Sequence, residues 1–344
     1  MRSKTAFFIL IIIYGFLFSL GAAGPLKFSD NPELHKRAIT LSGITGEKTA
    51  SGTYISEMTF ERYLAAPEAL ASNCAFAGIK EVILPFRTQL YLTYPEYAQS
   101  LIKQIKGFHE RGISVSALLS DDISLLYRTK RIENIAAAFS KFQKEADDGI
   151  ARFDAVSLDI LPDSLRTQSR SSGIPKSFPW RWNDKSGWGE SNSNDMLMKA
   201  ALNCIGNARI FLRDTPLSAT VKPSYFEDYK KNRLSCGSIS DFMMSCEYLI
   251  IPAYSDNPDT VLKLSNTALR ECVPDGGIAI CVKTDGRAGA LSFAGMDWKL
   301  FCSAMKSIME KASSQKSFRG IIFSDYDGLE KILMNGLENN AQKK

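Results

Sequence analysis

The most distinctive chemical group in this sequence is an aspartate inside an otherwise apolar segment. Residues 152–162 are mostly apolar, partly β-branched and closed by a proline that cannot continue a sheet ladder, which predicts a buried strand. Strand alternation places Ser157, Asp159 and Leu161 on one face. A carboxylate on the inward face of a buried strand is costly unless it is paired or used in chemistry. Asp159 is therefore the first candidate for a functional group, and a satisfied core carboxylate is the alternative.

Other carboxylates lie at the ends of predicted strands, where two of them could act together as general acid and general base. With Asp159, these candidates are Glu57, Asp121, Asp122, Asp256, Asp285, Asp325 and Asp327. Asp121 and Asp122 also suit the N-cap of a following helix, so their role is structural in the simpler interpretation.

The elements that would position these groups are eight short apolar segments, each followed by a helical pattern. The predicted strands are 53–58, 81–85, 113–119, 152–162, 217–221, 247–254, 277–282 and 318–323. This alternation predicts an α/β fold with a single (β/α)8 TIM barrel over residues 51–340. An open doubly wound sheet is the alternative, but it favours a glycine-rich phosphate loop after strand one, which is missing. In a closed parallel barrel, active sites form at the carboxyl ends of the strands.

The N-terminus has the pattern of a secretory signal peptide. Arg2 and Lys4 precede an apolar run over residues 6–20, and small residues follow at 21–24. We expect residues 1–24 to be removed and the protein to be exported to the periplasm or the extracellular space. An uncleaved N-terminal membrane anchor is the alternative, although the run is shorter than a spanning helix prefers. Residues 25–50 read as a polar N-terminal extension.

Charge and cysteine content exclude several classes of function. The formal net charge is +5, and removal of Arg2 and Lys4 lowers it by two, which is too weak and dispersed for nucleic-acid binding. The seven cysteines show no Cys-x-x-Cys spacing, and the two histidines are His35 and His109, so we predict no metal site and no cofactor. A disulfide could form in an oxidising compartment, but the spacing does not identify the pair.

The connection after the fourth predicted strand, residues 163–195, is unusually long and rich in serine and glycine. It holds Trp180, Trp182 and Trp188, three of the four tryptophans. Long loops inside compact domains are usually functional or disordered, and this one would lie over the barrel mouth. The rings could stack on the apolar faces of sugars, or they could simply pack onto the barrel rim.

Strand four resembles that of family 18 glycoside hydrolases, the chitinase family, whose motif is Asp-x-x-Asp-x-Asp-x-Glu. The corresponding residues here are Asp154, Ser157, Asp159 and Leu161. Residues 251–256 resemble the Met-x-Tyr-Asp region of that family. Residues 320–327 resemble its eighth strand, although the tryptophan of that strand is missing.

The chain also resembles a set of bacterial glycosidase-like barrel proteins over residues 57–333. Their strand four reads Phe-Asp-Gly-apolar-His-Leu-Asp-Ile-Glu-Pro, and their later motifs are Met-Asp-Tyr-Arg-Asp on strand six and Glu-Thr after strand seven. In this chain, residues 153–154 and 158–162 match the strand-four motif, residues 254–256 match the strand-six motif, and residues 283–284 match the motif after strand seven.

Two departures from these motifs bear on activity. Leu161 occupies the position of the glutamate that, in the chitinase pattern, protonates the leaving oxygen. Lys283 stands where the second set has an acid. Loss of a general acid typically costs on the order of 10²–10⁴ in rate, so the resemblance implies a degraded two-carboxylate mechanism.

Three functional hypotheses follow. The first is an exported barrel that binds carbohydrate and is catalytically silent or weak. The second is an active glycoside hydrolase that uses other carboxylates, namely Asp159 with Asp256 or Glu57. Carboxyl groups about 5–5.5 Å apart would suit retaining chemistry, and groups about 6.5–9.5 Å apart would suit inverting chemistry. The third is a non-enzymatic envelope or partner-binding protein, and the oligomeric state is left open.

Residues predicted to contact a carbohydrate are Glu57, Tyr254, Lys283, Asp325 and the three loop tryptophans. Tyr254 could instead pack within the barrel. Lys283 could form an ion pair with Asp159 or Asp256, because an opposite charge stabilises a buried carboxylate.

Overall fold

We describe a computed structural model of the chain. It describes residues 25–46, 49–120, 123–128, 130–146, 149–165, 178–184, 192–286, 291–335 and 337. The predicted signal peptide, residues 166–177 and 185–191 of the long loop (the latter with Trp188), and Asp121 with Asp122 lie outside the described residues.

Eight parallel strands form a closed barrel in sequence order, which confirms the predicted TIM-barrel fold. The strands are β1 Gly52–Tyr54, β2 Glu81–Pro85, β3 Ser114–Ser120, β4 Ala155–Leu158, β5 Leu217–Thr220, β6 Tyr248–Pro252, β7 Ile278–Lys283 and β8 Phe318–Ser324. Closure is visible at Thr53, which is paired with Val82 of β2 on one side and with Phe323 of β8 on the other.

Strands β1 and β4 are the most shortened relative to the prediction, and one end of each has a local reason. Ser56 caps a helix through its hydroxyl, which accepts a hydrogen bond from Thr59 N at 3.1 Å, so Glu57 begins that helix instead of extending β1. At β4, the Asp154 carboxylate accepts a hydrogen bond from Val115 N at 2.7 Å, where a strand would use a carbonyl oxygen. Both ends are therefore set by side-chain hydrogen bonds, which the apolar pattern does not reveal.

Helices surround the barrel and begin at recognisable caps. They are α1 Pro32–Thr45, α2 Glu57–Arg62, α3 Pro67–Phe76, α4 Thr88–Thr93, α5 Pro95–His109, α6 Lys130–Glu145, α7 Ser193–Phe211, α8 Pro223–Lys230, α9 Ile239–Met243, α10 Pro258–Glu271, α11 Trp298–Ala312 and α12 Tyr326–Met334. Asn31 and Asn257 cap α1 and α10 with their side chains, and each is followed by a proline at the first helical position.

Helix α1 lies within residues 25–50, a segment to which the sequence analysis assigned no helix. Its buried residues Leu34, Ala38 and Leu41 recur at helical spacing and face α3, α11 and α12. The guanidinium of Arg37 donates to the carbonyls of Leu333 at 3.0 Å and Asn335 at 2.7 Å, at the end of α12. The N-terminal extension therefore supplies part of the outer helical layer.

The lumen is filled at its N-terminal end by polar side chains that satisfy one another. The Glu81 carboxylate accepts hydrogen bonds from Ser116 at 2.8 Å and Tyr248 at 2.6 Å, and Arg319 lies 3.4 Å from its other oxygen. Above this network a small apolar cluster fills the middle of the lumen, with Ile250 and Cys281 among its members. The remaining open end is the mouth formed by the carboxyl ends of the strands.

All seven cysteines lie among the described residues and are free thiols. Within the ranges given above, no helix combines the length and apolar composition that a bilayer crossing requires.

Candidate functional site at the barrel mouth

Asp159 follows β4 directly and lies on the inner side of the mouth. Its charge contributes to raised pKa values at Tyr54, Cys281 and Tyr254, which shows that these groups surround it. Burial is the main cause at Tyr54 and at Cys281, whose thiol has a pKa of about 12, and proximity to the Cys281 thiol is the main cause at Tyr254. The predicted residues Asp159 and Tyr254 are thus brought together.

Tyr254 has an enclosed hydroxyl and an exposed ring. The hydroxyl hydrogen-bonds the side chains of Cys281 and Ser324, while 39% of the residue is exposed. The ammonium of Lys283 lies 5.6 Å from the centre of its ring, a cation–π distance. Tyr254 can therefore present an aromatic surface at the mouth without losing its hydroxyl contacts.

Lys283 forms an ion pair with Asp285, at 3.5 Å, a residue that the sequence analysis had not paired with it. The two residues stand at the end of β7, two positions apart, so alternation places them on the same face. The ammonium contacts the Asp285 carboxylate and the Tyr254 ring, and the pairing of Lys283 with Asp159 or Asp256 stays a prediction.

A second polar group at the mouth was missed by the sequence analysis. Asp163, in the 3₁₀ helix Pro162–Leu165 after β4, is 5% exposed and accepts hydrogen bonds from Lys222, at 2.6 Å, and from the Tyr225 hydroxyl. Burial and then Asp163 raise the pKa of Tyr225, and Asp159 adds to the effect, so the two groups are neighbours. One feature of the sequence could have indicated this pair: Asp163 and Lys222 follow shortly after the adjacent strands β4 and β5.

The loop tryptophans have different environments. Trp182 is buried, with its ring 5.5 Å from the Tyr225 ring and its Nε1 donating to Asp184 at 3.2 Å. Trp180 is half-buried and packs against Phe178 at 5.1 Å. Trp182 thus fits the packing interpretation, Trp180 keeps part of its ring accessible, and Trp188 stays a prediction outside the described residues.

A cleft of about 920 Å³ adjoins this mouth at the ends of β1, β7 and β8. Its charged lining consists of Glu57, Arg87, Asp285, Asp325, Asp327 and Lys331. The predicted residues Glu57 and Asp325 therefore share one cavity, and Glu57 forms an ion pair with Arg87. A cavity of this size matches those that bind small ligands.

The carboxylates of this cleft have different surroundings. Asp327 accepts hydrogen bonds from Ser56 at 2.7 Å and Arg62 at 2.8 Å. Asp325 caps α12 by accepting from Gly328 N at 3.0 Å. Burial raises the pKa of Asp325, and the nearby Asp327 and Asp285 raise it further, although the hydrogen bond from Gly328 opposes them.

Asp256 and Leu161, which the sequence analysis singled out, do not line this cleft. Asp256 is exposed on the turn before α10, and Leu161 is partly buried against the main hydrophobic core. The pairing of Asp159 with Asp256 or Glu57 stays a prediction. Among the described residues, no group of three or more His, Cys, Asp or Glu side chains is arranged to hold a metal ion.

No family model matches the sequence, and no curated protein matches it either. Solved structures do share the fold. The virulence factor SghA from Agrobacterium tumefaciens is 12% identical, with a TM-score of 0.50 over 84% of this chain and 90% of that one. A family 1 β-glucosidase from Thermotoga maritima is 7% identical, with a TM-score of 0.51 over 81% and 88%.

A class V chitinase mutant from Cycas revoluta, in complex with (GlcNAc)3, is 9% identical, with a TM-score of 0.50 over 83% of this chain and 98% of that one. These likenesses show the class of fold: the chain has the (β/α)8 barrel fold that these three structures share.

Proposed function

We propose that this protein is exported, binds carbohydrate at the barrel mouth, and is catalytically silent or weak. The observation that carries the proposal is the identity of residue 161. Leucine occupies the position that the resemblance assigns to the proton donor, and its side chain packs against the hydrophobic core. A hydrocarbon has no proton to give, while Asp159 remains at the mouth two residues earlier.

Carbohydrate binding is supported by the groups that the mouth presents. Sugars offer hydroxyl groups to carboxylates and apolar faces to aromatic rings, and here Asp159 lies beside the exposed ring of Tyr254, with Trp180 half-buried in the following loop. The names of two structural neighbours mention such ligands, since SghA was solved with the substrate analogue salicin and the Cycas revoluta chitinase with (GlcNAc)3. Export is proposed from the signal-like pattern of residues 1–24.

A glycan array probed with the protein from residue 25 onward tests the binding proposal. We expect binding to a defined group of glycans, weakened roughly fivefold by Tyr254→Ala, because one aromatic contact contributes about 1 kcal/mol. Trp180→Ala should weaken it by a similar factor. Tyr229→Ala is a matched control, because Tyr229 is equally exposed, at 40%, but lies on the outer helix α8.

An array without any bound glycan would contradict carbohydrate binding. Binding that Tyr254→Ala and Trp180→Ala leave unchanged would place the sugar away from the proposed mouth.

An active hydrolase is the second candidate, and one observation favours it. Asp325, with its raised pKa, lies in the same cleft as Asp327, which Arg62 holds by an ion pair. A buried carboxyl group with a raised pKa suits a general acid, and a second carboxylate in the same cleft could act beside it. In this candidate Asp325 would supply the proton that Leu161 cannot.

A further inference from the structure

The cleft at the ends of β7 and β8 has a charge opposite to the one common at this place in a barrel. TIM barrels often bind phosphate between the loops after strands seven and eight and the first turn of a short helix. Here the corresponding positions carry Asp285 after β7, and Asp325 and Asp327 at the start of α12. A phosphate or a sugar carboxylate beside Asp325 would lie close to a carboxylate without a cationic partner, so this part of the cleft disfavours anionic ligands.

Every carboxylate of the cleft lining except one forms an ion pair with an arginine or a lysine. Arg87 pairs with Glu57, Arg62 with Asp327, and Lys283 with Asp285. Asp325 has no cationic partner among the residues that the structure describes, and its Oδ1 accepts a hydrogen bond from the backbone N–H of Gly328. Lys331, the remaining cation of the lining, is exposed one turn further along α12.

The raised pKa of Asp325 agrees with the lack of a cationic partner. Its pKa is raised by burial and by the neighbouring carboxylates of Asp327 and Asp285, which means that the cleft disfavours its negative charge. A cation placed beside it would relieve the repulsion and form a charge-assisted hydrogen bond. Ser56 and Thr284 already use their hydroxyls within the protein, which leaves Asp325 as the carboxyl of the cleft lining without a charged partner among the described residues.

We propose that the cleft selects saccharides that carry a free, protonated amino group, with Asp325 as the partner of the ammonium. This inference rests on the proposed carbohydrate binding and specifies its ligand class. An amine offers three donors and a positive charge to the Asp325 carboxylate. Acetylation removes that charge, and a uronic acid reverses it, so both kinds of sugar lose the contact.

Calorimetric titration with three oligosaccharides tests this selection at one ionic strength. The probes are a glucosamine pentamer, an N-acetylglucosamine pentamer and an oligogalacturonate. We expect the glucosamine pentamer to bind roughly tenfold more tightly than the acetylated one, as expected for a hydrogen bond to a charged group, and the galacturonate not to bind.

Asp325→Asn isolates the charge, because asparagine caps a helix as well as aspartate does. We expect this variant to keep the thermal unfolding profile and to bind both pentamers with similar affinity. Asp214→Asn is the control, since Asp214 is exposed on the turn before β5, at the opposite end of the barrel.

Three outcomes separate the inference from the function on which it rests. Equal affinity for the two pentamers in the unmodified protein, or a preference that survives Asp325→Asn, would overturn the amine selection while carbohydrate binding stands. Failure to bind any of these oligosaccharides, together with an empty glycan array, would remove the proposed function itself.

Discussion

At the scale of the residue, the chemistry of the mouth depends on which strand-end carboxylates have a partner. The apolar pattern of residues 152–162 predicted a buried strand with Asp159 on its inward face. The strand ends one residue earlier, at Leu158, and the structure surrounds Asp159 with Tyr54, Tyr254 and Cys281. The partners of Lys283 and Asp163 could not be predicted in this way. Ion pairs between side chains from different loops depend on distances that one-dimensional spacing does not contain.

His109 provides a test of the electrostatics at the residue scale. Its Nε2 lies 2.8 Å from Asp154 Oδ2 and its Nδ1 lies 2.6 Å from the carbonyl oxygen of Ile150. Both nitrogens therefore face acceptors, and the hydrogen bond to Asp154 raises the pKa of His109 above its ordinary value of 6.5 although burial opposes it. The protonated ring links the end of α5 to the start of β4.

The sign of the pH dependence follows from the raised pKa. Protonation stabilises the fold fully below about pH 6.5, and the contribution is lost as the pH rises through the raised value. We expect His109→Gln to lower the free energy of unfolding by about 0.5–1 kcal/mol at pH 5.5, a small effect because Asp154 is half exposed. At pH 9 the effect should be smaller, because the ring has then lost its proton. Urea unfolding of both proteins at the two pH values measures this, and a difference that does not change with pH would refute it.

At the scale of the element, the apolar strands and the helical segments that follow them were predictable, but the ends of the strands and the helix α1 were not. Side-chain caps such as Ser56 decide whether a residue extends β1 or begins α2. Helix α1 was missed because its buried face is small and its surroundings are polar. Its contribution appears only when α3, α11 and α12 are in place around it.

A pair of substitutions in α1 tests whether this helix is part of the folded barrel. Leu41 is fully buried against the core, while Ile39, two residues earlier, is half exposed. We expect Leu41→Ala to lower the free energy of unfolding by about 2–5 kcal/mol, because it leaves a cavity. Ile39→Ala should change it by less than about 0.5 kcal/mol. Chemical denaturation measures both, and equal effects of the two substitutions would contradict the packing of α1.

At the scale of the whole molecule, the barrel is closed at one end and open at the other. Glu81 and Arg319 fill the N-terminal end of the lumen, whereas the carboxyl ends of the strands gather charged groups around the mouth and its adjoining cleft. Eight strand patterns sufficed to predict closure. The division of the mouth into a tyrosine-lined centre around Asp159 and a carboxylate-lined cleft around Asp325 could not be predicted, because it depends on how the loops after β1, β7 and β8 fold together.

We propose that this barrel lacks a proton donor at residue 161, where the resemblance to family 18 glycoside hydrolases places a glutamate. Hydrolysis of a panel of chromogenic glycosides and of chitin and glucan oligomers, by the unmodified protein, Leu161→Glu and Asp159→Asn, tests this most directly. We expect the unmodified protein to be at or near background and Leu161→Glu to exceed it by on the order of 10², the lower end of what a general acid contributes. Robust hydrolysis by the unmodified protein that Asp159→Asn abolishes would show instead that strand four is catalytically competent without its glutamate.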